Sequence, residues 1–167
     1  MRAEPIRTER FDLEPLRVDH AEEMARLLDD EALHRFIGGR PDSLVELRAR
    51  YARQVGGRSP DGKELWLNWV IRDRVSARPI GTVQAAVRDD PAGTLADVAW
   101  VVGTQSQGQG VARESATAMV SWLRQQGVDG VAAYIHPEHN ASMAVARAIG
   151  LTPTDRVVEG EVEWRSG

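Results

Sequence analysis

The chain has 167 residues, of which 42% are hydrophobic and 28% charged, and its formal net charge is −4. This is the balance of one ordinary globular domain, large enough to bury a real core. A mildly acidic chain without a long basic run argues against wholesale nucleic-acid binding, and the absence of cysteine excludes disulfides, thiolate metal sites and a cysteine nucleophile.

The N-terminal MRAEPIRTER is charged, lacks an apolar centre and does not read as a signal peptide. No apolar run approaches the ~20 residues of a bilayer span, so no membrane association and a cytoplasmic location are expected. Residues 6–17 read as a strand, with Phe11, Leu13 and Leu16 as its apolar points. A helix follows, with Asp19 as N-cap, Glu22 three residues on, and Ala21, Met24 and Leu28 at helical spacing. A loop over Phe36 to Asp42 carries Gly38, Gly39 and Pro41. Ser43 and Glu46 form an S-x-x-E start signal for a second helix, whose buried stripe is Leu44, Leu47, Tyr51 and Val55 and which Gly56-Gly57 ends.

The pattern then changes period. Leu65 to Ile71, Pro79 to Val87 and Leu95 to Val102 read as strands joined by short Pro- and Gly-bearing turns, as in an antiparallel meander. A helix over about 110–126 buries Ala112, Ala116, Met119, Val120 and Leu123 and stops at Gly127. Val128 to His136 is the next strand. A helix over about Asn140 to Ile149 presents Ala141, Val145, Ala148 and Ile149 on one face, and Val157 to Val162 reads as a terminal hairpin. The order β-α-α-β-β-β-α-β-α-β-β, without a repeat or a dividing linker, predicts a single domain over 1–167. Its fold class is α/β with a mixed sheet and helices on both faces.

The chemistry concentrates in Trp100 to Ala116, WVVGTQSQGQGVARESA. A strand, a glycine- and glutamine-rich loop and a helix N-terminus make an anion cradle, because first-turn amides lack partners and the helix dipole favours negative charge. The loop is neither a dinucleotide fingerprint, since Arg113 fills the third glycine position, nor a Walker A loop, since no Gly-Lys-Ser/Thr closes it. On its own it also reads as a merely flexible connection. No His, Asp or Glu grouping has metal spacing; His136-Pro137-Glu138-His139 is broken by proline.

With HPEHNASMAVARAIGL at residues 136–151, the chain resembles the GNAT superfamily of acyl-CoA-dependent N-acetyltransferases. The likeness is to its Rim-type branch, which acts on ribosomal-protein N-terminal amines. The family's Q/R-x-x-G-x-G/A is matched by Gln107-Gly108-Gln109-Gly110-Val111-Ala112, with a second register at Gln105 to Gly110. The branch's later P-x-N-x-A-S and Leu/Ile-Gly-Phe/Leu are matched by Pro137, Ala141-Ser142 and Ile149-Gly150-Leu151.

The resemblance implies a GNAT fold: a mostly antiparallel sheet of about seven strands, splayed between 95–102 and 129–136. It implies acetyl-CoA as co-substrate and no metal, with the pyrophosphate held by the amides of Gln107 to Ala112. The pantetheine arm would run along Val101 and Val102. His139 stands in the slot that is usually Asn, with Asn140 one place later; either can bond the cofactor arm. The family's usual tyrosine acid has no equivalent, so Ser142 is the candidate donor to the departing thiolate. Asp97 and His136 are the candidate bases, and a reaction without a dedicated base stays open.

The acceptor is then an amine: a protein N-terminus, an antibiotic or a small metabolite. Its pocket is expected among the first two helices, the loop over about Phe36 to Pro41 and the terminal hairpin. A non-catalytic acyl-CoA-binding module of the same fold is the alternative, and a homodimer stays open.

Overall fold

The computed structural model describes residues 1–37 and 39–166; Gly38, expected in the second loop, lies outside them. Eight strands form one sheet in the order β1-β2-β3-β4-β5-β6-β8-β7, one more than expected. The additional strand comes from the N-terminus, where the single strand expected over residues 6–17 is a hairpin of β1 (Ile6–Arg7) and β2 (Phe11–Pro15). Alternation still decides which side is buried: Phe11 and Leu13 point into the core.

The helix expected to start at Asp19 starts later. Val18–His20 form a 3-10 turn before α1 (Ala21–Leu28). Asp19 does not cap; it pairs with Arg17 Nε at 2.9 Å. His20 takes over, because its Nδ1 accepts the Arg17 backbone N–H at 2.9 Å. A short α2 (His34–Ile37) precedes α3 (Leu44–Val55), where the Ser43/Glu46 capping box is fully formed. Leu47 and Tyr51 are buried as expected, but Val55, in the last turn of α3, is 48% exposed.

The meander follows as β3 (Leu65–Asp73), β4 (Pro79–Asp90) and β5 (Gly93–Val102), antiparallel throughout. Helix α4 (Val111–Gln125) crosses over to β6 (Gly130–Ile135), which lies parallel to β5. Helix α5 (Asn140–Ala148) leads to the final hairpin of β7 (Leu151–Val158) and β8 (Glu161–Ser166), longer than its apolar residues suggested. The second strand of that hairpin, β8, pairs with β6.

Both faces of the sheet are covered. One core packs α4 and α5 side chains, among them Met119, Leu123 and Ala146, against Leu67, Trp69, Ile71 and Val83. The other packs Ala21, Met24, Leu47 and Tyr51 of α1 and α3 on Val70. Burying one such Leu or Met fully is worth about 1.5–3 kcal/mol. Because β3 is covered twice, its apolar residues run on rather than alternate.

One seam is left open. β5 and β6 pair only at Leu95↔Gly130, Ala96↔Val131 and Asp97↔Ala132. Beyond Asp97 the two strands diverge, so the upper half of β5 keeps its partner β4 on one side alone. Unpaired strand edges attract another extended chain. Among the described residues, no helix is long and apolar enough to cross a membrane.

Candidate functional site

The open seam runs between two cavities. The first, about 290 Å³, is lined by Trp100, Val101 and Val102 of β5, by Gln107, Gly108, Gly110, Val111, Ala112 and Arg113, and by His139, Ala141 and Ser142. The second, about 380 Å³, lies on the side of α1–α3 and β8 and is lined by Leu28, His34, Arg50, Tyr51, Tyr134, His136 and Glu161 among others. Phe36, Trp100, Val101, His139 and Ser142 line both. They are the partition across which two reactants would meet.

The glycine loop is built as an anion cradle. Gly108 and Gly110 hold φ of +75° and +76°, the left-handed region that side chains disfavour. Among the described residues no side chain caps α4 at Gly110, so its first amides face the cavity mouth. Gln107 folds back on the strand, its Nε2 donating to Val102 O at 3.0 Å. Arg10 borders the cradle: a Cβ on Gly110 would lie 3.4 Å from its Nη2. Glu114 fixes Arg10, accepting from its backbone N–H at 2.9 Å and its Nε at 2.8 Å. Partial burial pushes the Glu114 carboxyl up, but the bonds from Thr8 and Arg10 outweigh this and hold it below its ordinary value. Asp30 accepts the Thr104 hydroxyl at 2.6 Å, tying the chain before α2 to the turn that follows β5.

At the partition, Ser142 Oγ accepts the Trp100 indole N–H at 3.2 Å and lies 3.3 Å from His139 Nε2. The His139 ring stacks on Phe36, with centroids 4.2 Å apart and planes 7° from parallel. Burial, assisted by the charge of His136, lowers the His139 pKa. The buried face of α5 is thus Ser142, Ala146 and Ile149, one step from the expected face, and Ala141 and Ala148 are exposed. In an alanine-rich helix the apolar pattern barely distinguishes faces; the Ser142 bonds do.

The expected site residues fall into three groups. Val101, Val102, Gln107, Gly108, Gly110, Val111, Ala112, His139 and Ser142 line the first cavity. Gln109 and Asn140 line neither: Gln109 bonds Gln105 O, and Asn140 is the first residue of α5 behind the N-cap His139. Asp97 also lines neither cavity. It sits where the β5–β6 pairing ends, ion-paired with Arg88 at 3.1 Å, and burial raises its pKa against the pull of that arginine. His136 lines the second cavity, but its Nδ1 accepts the Glu138 N–H at 3.0 Å. A neutral ring held this way carries its proton on Nε2 and offers a donor rather than a base.

The terminal hairpin was expected to line the acceptor pocket, and Glu161 is the residue it brings there. Glu163 is buried and accepts from Tyr134 Oη at 3.1 Å, and Glu161 lines the second cavity with its pKa raised by burial. Strand alternation puts both on one face; knowing which face needed the β6–β8 pairing. Phe36 was expected only as one end of a loop at the acceptor pocket, and Arg10 carried no signal, since only tertiary structure brings it to the site. Among the described residues no His, Asp and Glu side chains gather to hold a metal.

Residues 10–152 match the family model described as the acetyltransferase (GNAT) domain. Among solved structures, the chain is similar to the RimL ribosomal L7/L12 alpha-N-protein acetyltransferase in complex with coenzyme A, with a TM-score of 0.80 and 17% identity over 97% of each chain. It is similar to an acetyl transferase from Salmonella typhimurium that modifies the N-terminal serine of a 50S ribosomal subunit protein, with a TM-score of 0.78 and 18% identity over 97% of this chain and 98% of that one. A ribosomal-protein-S5-alanine acetyltransferase from Vibrio fischeri gives 0.79 and 16% over 98% and 96%. Identities this low show a shared fold. No curated protein sequence matches the chain.

Proposed function

The chain belongs to the acetyltransferase (GNAT) domain family, and from that premise we propose that it moves acetyl from acetyl-CoA to a primary amine by direct attack in a ternary complex. The observation that carries this reading is the partition: two cavities on opposite sides of the open β5–β6 seam share Trp100, His139 and Ser142. A thioester entering from one side and an amine from the other meet there without a covalent enzyme intermediate.

The residues present fit coenzyme A. Its pyrophosphate suits the left-handed Gly108 and Gly110 and the uncapped α4 amides, with the Arg10 and Arg113 guanidinium groups beside them. Its pantetheine arm suits the free edge of β5 at Val101 and Val102, and a protein of similar fold is known in complex with coenzyme A. His139 meets the arm in the slot that Asn fills in this branch. Asn140 and Gln109 stay outside.

Ser142 donates to the departing thiolate. The attacking amine must be neutral, so its ammonium proton passes first to water. On the acceptor side, Glu161 attracts the cationic amine and the Nε2–H of His136 offers a donor. The ribosomal-protein N-terminal serine and alanine named for similar folds make a protein N-terminus the first acceptor to try, in the cytoplasm.

The test is thiol release from acetyl-CoA over peptides with free N-terminal serine or alanine, polyamines and aminoglycosides. Turnover on one class is expected, with Ser142→Ala lowering kcat and leaving CoA binding intact. Tight acetyl-CoA binding without turnover on any amine would favour a non-catalytic acyl-CoA-binding module instead.

A further inference from the structure

Resting on the transferase reading above, we propose that His139 is the general base of the reaction and that the proton it takes is relayed through Ser142 to the departing thiolate. The Ser142 hydroxyl has one proton and two lone pairs. Trp100 Nε1–H fills one lone pair at 3.2 Å, and His139 Nε2 lies 3.3 Å away. With the ring proton on Nε2, both lone pairs are filled and the serine O–H is left to point into the cleft. That same tautomer leaves the other ring nitrogen, Nδ1, bare and basic.

The position suits the task. His139 and Ser142 both line both cavities, so the pair stands where amine and thioester meet. The ring is held in orientation by its stacking on Phe36, and fixed geometry is what makes a proton transfer efficient. Burial and the neighbouring His136 favour the neutral ring. Of the two other candidates, Asp97 pairs with Arg88 and lines neither cavity, and His136 has Nδ1 filled by a backbone N–H.

The step balances. The amine nitrogen forms a bond to the thioester carbonyl carbon, and the C–S bond breaks with its electron pair going to sulfur. The amine proton moves to His139 Nδ1, the Nε2 proton to Ser142 Oγ, and the Ser142 hydroxyl proton to sulfur. The products are the N-acetyl amine and the free thiol. His139 is left neutral in its other tautomer, which exchange with water resets.

His139→Ala and His139→Gln in the full chain test this, using acetyl-CoA and a peptide with a free N-terminal serine. In both variants kcat should fall about 100-fold, well beyond any loss of CoA affinity from the missing contact of the ring with the arm, and added imidazole should restore about 10-fold to His139→Ala alone, since only that variant opens a space for it. The CoA binding isotherm reports that each variant is folded. In the wild type, ¹⁵N chemical shifts of His139 should show Nε2 protonated and Nδ1 bare. Retained kcat, a loss that imidazole leaves untouched, or the reverse tautomer overturns the relay while leaving the transferase reading standing. Wild-type protein that binds acetyl-CoA yet releases no thiol with this peptide or any other amine overturns the transferase reading, and the relay with it.

Discussion

Trp100 on β5 donates its indole N–H to Ser142 Oγ on α5 at 3.2 Å, bridging a seam that the backbone leaves open. The bond fixes the serine hydroxyl as well as closing the partition. Trp100→Phe keeps most of the ring and removes the donor. A neutral hydrogen bond of this kind is worth about 1 kcal/mol, or roughly 5-fold in rate if it orients the reacting group. We expect kcat to fall by that factor, measured as thiol release at saturating acetyl-CoA. An unchanged kcat would show that the indole only packs.

Gly110 holds φ of +76° at the head of α4, where the anion cradle needs a backbone without bulk. Gly110→Glu adds a negative charge at that point and a left-handed strain of about 1–2 kcal/mol. On the proposed function, coenzyme A should raise the melting temperature of the wild type by binding the native state. The variant should unfold in a cooperative transition of its own, yet show no shift with CoA. A shift equal to that of the wild type would remove the loop from the cofactor site.

Asp97, one of the candidate bases, pairs with Arg88 at the point where β5 and β6 part. One carboxylate oxygen is bonded to the arginine, and the other is buried without a partner among the described residues. Such a charge is costly, as its raised pKa records. Asp97→Asn should therefore keep kcat within about twofold of the wild type, as changes away from the reacting atoms do. A loss of tenfold or more at unchanged melting temperature would return Asp97 to the chemistry.

The sequence made the scaffold legible where local signals were strong. The Ser43/Glu46 box, the β3–β5 meander and the glycine loop all lie where alternation, caps and turns put them. The splay was different: it followed from the family resemblance, because no pattern of side chains states that pairing stops at Asp97. Local rules failed where tertiary partners decide. Asp19 had the better cap chemistry, yet His20 took the Arg17 amide because it could also face Glu14 from inside the core. Ser142 was named from the family resemblance, but its bond to Trp100, far off in sequence, left no local signal. Phe36 against His139 is likewise a contact between segments that share no local signal.

His20 gives the fold a dependence on pH that can be separated from the site. It is 1% exposed; its Nδ1 accepts the Arg17 N–H, and its Nε2 lies 3.3 Å from Glu14 Oε1. Burial is the largest influence, followed by the charge of Arg17; together they outweigh Glu14 and Asp19 and lower its pKa. In the unfolded chain the same ring titrates near about 6.5. As pH falls below that value, the unfolded chain binds a proton that the folded chain resists, and linkage shifts the balance toward unfolding. Stability from this site is thus complete above the unfolded pKa and is lost as pH falls toward the folded one. In His20→Asn the amide oxygen can stand in for Nδ1 as acceptor, and the side chain does not titrate. Between about pH 7.5 and 5.5, a span around the free histidine pKa, the melting temperature of the wild type should fall more steeply than that of the variant. His139, also lowered by burial, acts with the same sign in both proteins and cancels in the comparison. Parallel curves would mean that His20 is protonated as readily in the fold as outside it.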